Sequence, residues 1–287
     1  MRVIERVAEL GRFFDDERCR GRSVGIVPTM GALHAGHVSL IERAASECDT
    51  VGVTLFVNPL QFGATEDLAA YPQDRAGDLR TAEAAGATAL FAPAVEEMYP
   101  EPVRTTVHVA GLADVLEGRL RPGHLDGVAT VVTKLFAMTG RCRAYFGEKD
   151  FQQLTVVRRM ALDLSLPVEV VGCPTVRDHD GLALSSRNAY LRAEEREAAP
   201  VLHRALQAGT AAVAAGERDP AAVADLVAAI IEAEPSAALE SVDVVDEATL
   251  ERPDVLAGRV RILVVCRFGR ARLLDNRGVT VPEPRTS

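Results

Sequence analysis

No CxxC pair occurs among the five cysteines of this 287-residue sequence; Cys19, Cys48, Cys142, Cys173 and Cys266 are odd in number and scattered. That excludes a disulfide framework and a cysteine-based zinc site, and it points to reduced thiols in a cytoplasmic protein. No apolar run approaches the ~20 residues that a membrane-spanning helix requires, so no membrane is expected as a partner. Residues 1–20 are charged throughout and contain no apolar core, which excludes a secretory signal peptide. Positive charge is not in excess either: 32 Lys and Arg against 41 Asp and Glu leave a formal charge of −9. A protein living on nucleic-acid phosphates is therefore not expected. A nucleotide substrate remains compatible, because a local cluster of Lys, Arg and His outweighs the average field. There is no internal repeat, and no spacing resembles a protein-ligated metal site.

What is present is a well-cored chain, 48% hydrophobic and 25% charged. Its length exceeds the roughly 100–200 residues of one domain, so a large and a smaller domain are expected. Residues 3–14 place Val3, Ile4, Val7, Leu10 and Phe14 near helical spacing. Apolar runs at 23–27, 50–56 and 88–92 read as strands, with helices at 37–48 and 74–85 between them. This rhythm implies a parallel sheet with right-handed crossovers. Residues 103–109 read as a further strand or as an excursion from the sheet. Then follow a helix at 127–138, a strand at 143–146, a helix at 150–164 and a strand at 168–171. Beyond a boundary near 173–176 the chain becomes alanine-rich and helical over 193–215 and 220–233. It closes with strands near 241–245 and 259–268 and a hairpin into 270–274. The tail VPEPRTS reads as disordered. The fold class is α/β, with domains at 1–175 and 176–287.

The stretch PTMGALHAGH, residues 28–37, joins the first of these strands to its helix. Strand, glycine-bearing turn and helix is the arrangement in which backbone N–H groups and a positive helix end face an anion. His34 and His37 both reach one phosphate chain from that turn, and Gly36 permits close approach; the competing account is that the histidines cap the helix. In FGEKDFQQL, residues 146–154, another strand ends at a glycine. Lys149 offers a point charge, Asp150 caps the helix or accepts from ribose, and Gln153 lies one turn in. In GLALSSRNAYL, residues 181–191, Ser185, Ser186, Arg187 and Asn188 suit a loop closing over phosphates, or an ordinary capped turn. FVNPLQF places Asn58 and Gln61 past the second strand, and an uncharged amide in an apolar frame suits a small hydroxy acid. EGRLRPGHLDG adds Arg119, Arg121 and His124, as a basic rim or as a solvated loop. His108, His179 and His203 are read as structural.

Together these segments, in this order and spacing over 28–191, resemble the pantothenate synthetase (pantoate–β-alanine ligase) family. The resemblance implies a Rossmann-like parallel sheet with helices on both faces and a smaller C-terminal α+β lid domain, assembled as a homodimer. It implies that ATP and pantoate form pantoyl adenylate and pyrophosphate, and that β-alanine then yields pantothenate and AMP. By position, the family's ATP contacts fall on Met30, Gly31, Ala32, Leu33, His34, Ala35, Gly36 and His37. They continue on Gly147, Glu148, Lys149 and Asp150, on Val176, and on Leu184, Ser185, Ser186 and Arg187. His37, His34, Lys149, Ser185 and Arg187 take the catalytic roles, with His37 matching the usual proton donor. Gln61 and Gln153 match the pantoate-binding amides, and Gln61 and Asn58 the β-alanine site. Arg121, His124 and Tyr71 match further rim positions. Mg²⁺ would ride on the triphosphate. The sequence departs from the family's usual pattern at Leu125, at Ala137 and at Gly77-Asp78, the last where paired acidic residues are common.

Two rivals keep parts of this pattern. A nucleotidylyltransferase would retain the His-x-Gly-His turn but would want cations for a phosphorylated acceptor, where Gln61 and Gln153 are neutral. A non-catalytic nucleotide sensor would have lost His34, His37, Lys149 or Arg187, and all four are present.

Overall fold

A computed structural model describes residues 1–63, 68 and 71–282. Most of the tail expected to be disordered, from 283 on, lies outside the described residues. The chain divides into two compact units, one comprising 1–148 and 152–174, the other 149–151 and 175–287.

The larger unit is a six-stranded parallel sheet in the order β1-β4-β3-β2-β5-β6. Its strands are β1 (Arg2–Ile4), β2 (Val24–Val27), β3 (Thr50–Thr54), β4 (Ala89–Phe91), β5 (Cys142–Gly147) and β6 (Val168–Cys173). β2 and β3 are buried at every position, as strands covered on both faces must be. The helices are α1 (Val7–Cys19), α2 (Ala35–Glu47), α3 (Arg75–Ala84), α4 (Val95–Met98), α5 (Glu117–Leu120), α6 (His124–Thr139) and α7 (Phe151–Asp163). α2 touches α3, while α1 touches α6. Right-handed crossovers put these pairs on opposite faces of the sheet, because α2 and α3 lie on connections that run one way, from β2 to β4, and α1 and α6 on connections that run the other way, from β1 to β2 and from β4 to β5. The direction of winding therefore reverses between β2 and β5, and ligands of open α/β sheets bind outside the strand ends at such a point. Residues 28–37 leave β2 there, and Gly147 ends β5, the adjacent strand.

One expectation fails, and one open choice is decided. Val3 and Ile4 do not begin the first helix; they form β1, which pairs in parallel with β4 through Ile4 and Phe91. Helical spacing at 3–14 is real, but Ile4 is fully buried, and pairing along the sheet edge overrides the local pattern. Residues 103–109 form no strand; they run without regular structure, and Val107 N–H bonds to the Thr130 hydroxyl of α6 at 2.9 Å.

The smaller unit is an antiparallel sheet, β7 (Ala238–Asp246), β8 (Arg259–Phe268) and β9 (Ala271–Thr280), in that order. The helical stretch at 193–215 is interrupted at Pro200, giving α8 (Ala193–Ala198) and α9 (Val201–Ala215), with α10 (Pro220–Glu232) following. α9 and α10 bury Leu202, Leu206, Val223, Val227 and Ile231 in one core with Ile262, Val264 and Phe268 of β8.

Candidate active site

The turn after β2 is held by side chains from two other elements. Thr29 and Thr54 form a reciprocal pair: Thr29 N–H donates to Thr54 Oγ1 at 3.0 Å, and Thr29 Oγ1 donates to the Thr54 carbonyl at 2.5 Å. Gly31 (φ +93°) and Ala32 (φ +52°) then take left-handed conformations. The buried carboxylate of Asp78, on α3, accepts from Ala32 N–H at 2.9 Å and Leu33 N–H at 2.7 Å. A Cβ on Gly31 would stand 2.9 Å from that carboxylate, so glycine is required by space as well as by φ.

His34 caps α2 and His37 completes the cap. His34 Nδ1 accepts from Gly36 N–H at 3.1 Å, and His37 Nδ1 accepts from His34 N–H at 3.3 Å. The rings lie 4.2 Å apart, tilted by 45°. Because both Nδ1 atoms accept from amides, each neutral ring carries its proton on Nε2. Capping therefore uses one nitrogen of each ring, Nδ1, and does not by itself exclude a role for the other. The backbone is a different matter. The N–H groups of Gly31, Ala32, Leu33, His34, Gly36 and His37 are all engaged by protein acceptors. Most N–H groups of the expected backbone cradle are thus bonded within the protein.

Beside the turn lies an amide network. Asn58 is 1% exposed and caps a short 3₁₀ turn, Pro59–Gln61. Its Nδ2 donates to Gln61 Oε1 and to the Gly127 carbonyl, both at 3.1 Å. Its Oδ1 accepts from Tyr99 Oη at 2.9 Å and from Leu60 N–H at 3.3 Å. Gln61 Nε2 reaches Met30 Sδ at 3.1 Å, which joins this network to the histidine turn. His124 Nδ1 donates to the Gln61 carbonyl at 2.8 Å, and a Cβ on Gly127 would collide with the Leu60 carbonyl. Both amide hydrogens and both lone pairs of Asn58 are in use, and one of those hydrogens grips Gln61. Tyr71 packs edge-on against Phe62, with ring centres 6.1 Å apart. Arg121 ends α5, one turn before His124 opens α6.

At the end of β5, Gly147 is followed by a 3₁₀ turn, Glu148–Asp150, and then by α7. Gln153 lies half-buried in the first turn of α7. Its neighbour Gln152 is buried and ties the loop before α5, donating to the carbonyls of Leu112 (2.8 Å) and Val115 (2.7 Å) and accepting from Glu117 N–H (3.0 Å).

Lys149 and Asp150 group with the smaller unit. Lys149 Nζ lies 3.4 Å from the Asp150 carboxylate, and its carbonyl accepts from Asn276 Nδ2 at 2.7 Å. Arg261 donates to Asn276 Oδ1 at 2.6 Å and stacks over the Phe151 ring at 3.5 Å. In the same unit, Leu184 N–H bonds to the Val176 carbonyl at 3.0 Å, closing a loop whose base is fixed by Arg177. Arg177 makes a two-pronged pair with the buried Asp275, at 2.6 and 2.8 Å. Ser185 caps the turn Ser186–Tyr190, its Oγ accepting from Arg187 N–H at 3.3 Å. Among the described residues no carboxylate pairs with Arg187, and no three His, Cys, Asp or Glu side chains gather into a metal site.

Burial pushes the thiols of Cys142 and Cys266 up to about 12, which keeps them out of nucleophilic chemistry near neutrality. Burial likewise pushes the Tyr99 phenol up to about 12. No motif singles out Asp78, Tyr99, Asp275 or Asn276. Asp78 does stand at a departure from the family pattern, and the pair Asp275-Asn276 interrupts the apolar strand RLLDN, a polar signal at inward positions.

A family model described as pantoate-beta-alanine ligase matches residues 2–278. Pantothenate synthetase from Sinorhizobium medicae is 51% identical over 99% of this chain and 98% of that protein. The one from Heliobacterium modesticaldum is 50% identical over 98% of this chain and 100% of its own length. The crystal structure of pantothenate synthetase from Thermus thermophilus superposes with a TM-score of 0.92 at 48% identity, covering 98% of this chain and 100% of that one. The Francisella tularensis pantoate-beta-alanine ligase, complexed with beta-gamma ATP and beta-alanine, gives a TM-score of 0.78 at 30% identity over 96% and 97%. With a family model spanning nearly its whole length and relatives half identical end to end, the chain belongs to the pantoate–β-alanine ligase family.

Proposed function

We propose that this ligase activates pantoate with ATP as the acyl adenylate and then passes the acyl group to β-alanine, releasing pyrophosphate and then AMP. A carboxylate resists an amine until one of its oxygens becomes part of a leaving group, and adenylate supplies that group. The observation that carries the reading is the bond from Gln61 Nε2 to Met30 Sδ at 3.1 Å, which sets a neutral amide directly beside the histidine turn. Such a neighbour suits a small hydroxy acid and not a phosphorylated acceptor.

In this reading the Nε2–H groups of His34 and His37 stabilise charge on the transferring phosphoryl group. Lys149 and Arg187 neutralise the triphosphate, and Ser185 and Ser186 add hydroxyl donors. Met30 through His37, Gly147 through Asp150, Val176 and Leu184 through Arg187 line the nucleotide. Gln61 and Gln153 hold pantoate, and Gln61 also meets β-alanine. The larger unit carries the pantoate amides and the histidine turn; the smaller one carries Lys149 and Arg187. Mg²⁺ accompanies ATP, bound by phosphate oxygens. The enzyme works as a cytoplasmic homodimer.

Purified protein should exchange labelled pyrophosphate into ATP only when pantoate is present, and should release AMP when β-alanine follows. Exchange without pantoate, or exchange supported instead by a phosphorylated acceptor, would overturn the proposal.

A further inference from the structure

We infer that Tyr99 is a positioning residue that, acting through Asn58, fixes which face of the Gln61 amide meets the acid substrate; the inference rests on the substrate reading above. Two backbone groups beside Asn58 have a polarity that cannot change. The Gly127 carbonyl only accepts, and the Leu60 N–H only donates. Asn58 lies between them, so its Nδ2 must face Gly127 (3.1 Å) and its Oδ1 must face Leu60 (3.3 Å). Turned over, the amide would set acceptor against acceptor and donor against donor, in a site that is 1% exposed.

The remaining hydrogen of Nδ2 goes to Gln61 Oε1 at 3.1 Å. That engages the carbonyl end of Gln61 and leaves its NH₂ toward the histidine turn, resting on a thioether sulfur, which is a weak acceptor. A donor face selects an acceptor oxygen, as a carboxylate or hydroxyl of a hydroxy acid supplies. The weak point of this relay is the Leu60 bond, at 3.3 Å the longest in it. Tyr99 makes the shortest, 2.9 Å to Oδ1, and because Oδ1 only accepts, the phenol must donate. Burial holds that phenol protonated far above neutrality, so it is a permanent donor. The ring itself is fixed: Tyr99 N–H bonds to the Val95 carbonyl at 2.7 Å, Phe56 lies 6.0 Å away centre to centre, and Lys134 Nζ stands 5.5 Å over the ring.

The test is a double-mutant cycle read as pantoate affinity by calorimetry, with ATP affinity as the control. Tyr99→Phe should weaken pantoate about threefold to tenfold, the range of one lost neutral hydrogen bond, and leave ATP within about twofold. In a Gln61→Ala background the same change should have no further effect, because Tyr99 reaches Gln61 through Asn58. Asn58→Asp, which keeps the shape but cannot donate to Gln61, should weaken pantoate more than Tyr99→Phe does, and it serves if the latter fails to fold. Equal losses in both backgrounds, equal losses for ATP and pantoate, or no loss would overturn the inference. If the wild type binds no pantoate, the substrate reading falls and this inference with it; wild-type binding with unchanged variants overturns this inference alone.

Discussion

Asp78 and Asp275 are both buried, 5% and 3% exposed, and each anchors a loop assigned to ATP, but they grip different things. Asp78 accepts from two successive peptide N–H groups, so it holds the main chain of the turn after β2 directly. Asp275 holds a guanidinium, and Arg177 in turn reaches the Gly181 carbonyl at 3.0 Å. The first arrangement fixes backbone positions, and with them the ring that caps α2. The second fixes only the base of its loop and leaves the stretch from Ser185 to Arg187 to a local cap. Under the proposed function, precision is needed where imidazoles would meet a transferring phosphoryl group, and reach is enough where a guanidinium would meet a triphosphate. The means of anchoring match the demands on each loop.

The largest expected effect tests the chemical side of that contrast. His37→Ala and Lys149→Ala should each slow pantoate-dependent pyrophosphate exchange by about 100-fold or more, the scale of one lost transition-state donor. His37→Ala should in addition lower the melting temperature slightly, since it removes one arm of the α2 cap, worth about 1 kcal/mol. Near-normal exchange by either variant would refute the role given to it.

The two aspartates themselves come next. Asp275→Ala strands Arg177, whose side chain is only 19% exposed, and should cost about 3–5 kcal/mol in chemical denaturation. Asp78→Asn keeps the size but turns an NH₂ toward one of the two amides, and should cost about 1–3 kcal/mol. Measured on the folded fraction, however, Asp78→Asn should reduce the exchange rate more than Asp275→Ala does. The opposite order would break the comparison.

The smallest effect lies away from both loops. Glu17 is buried, pairs with Arg20 and Arg22, and accepts from the Thr50 hydroxyl, which with the arginines holds its carboxyl below the ordinary 4.5. A depressed carboxyl contributes stability that is present above its unfolded value and disappears as pH falls through the folded one. Glu17→Gln should therefore lower the melting temperature near neutrality and flatten its decline below pH 4.5. An unchanged acid limb would refute the assignment.

The readable parts of the chain are those written in local pattern. Unbroken apolar runs mark β2 and β3, and motif spacing brings Met30, His34, Gln61 and Lys149 to notice. The break at Pro200 is masked by the alanine-rich run around it. β1 escapes because a three-residue edge strand has too few positions to compete with the helical spacing that follows it. Asp78, Tyr99 and Asp275 escape for another reason. Each acts through a bond to a residue 41 to 98 positions away, and nothing nearby in the chain marks such a partner. The histidines read as either caps or donors, since periodicity does not reveal that both Nδ1 atoms serve the cap.

The reversal of winding between β2 and β5 also sets an order of events during synthesis. The histidine turn is complete in sequence by residue 37, and its anchors Thr54 and Asp78 follow soon after. One neighbour of β2, β3, also follows soon after, but the other is far later, for Gly25 pairs with Arg143. A nascent chain that has emerged only through β4 can build the turn, its cap and its carboxylate anchor, and still have no wall on the other side. Such long-range closure is slow to form. Growing chains of this protein should therefore pass through a stage in which the most specific motif is already shaped and nothing can yet be bound by it.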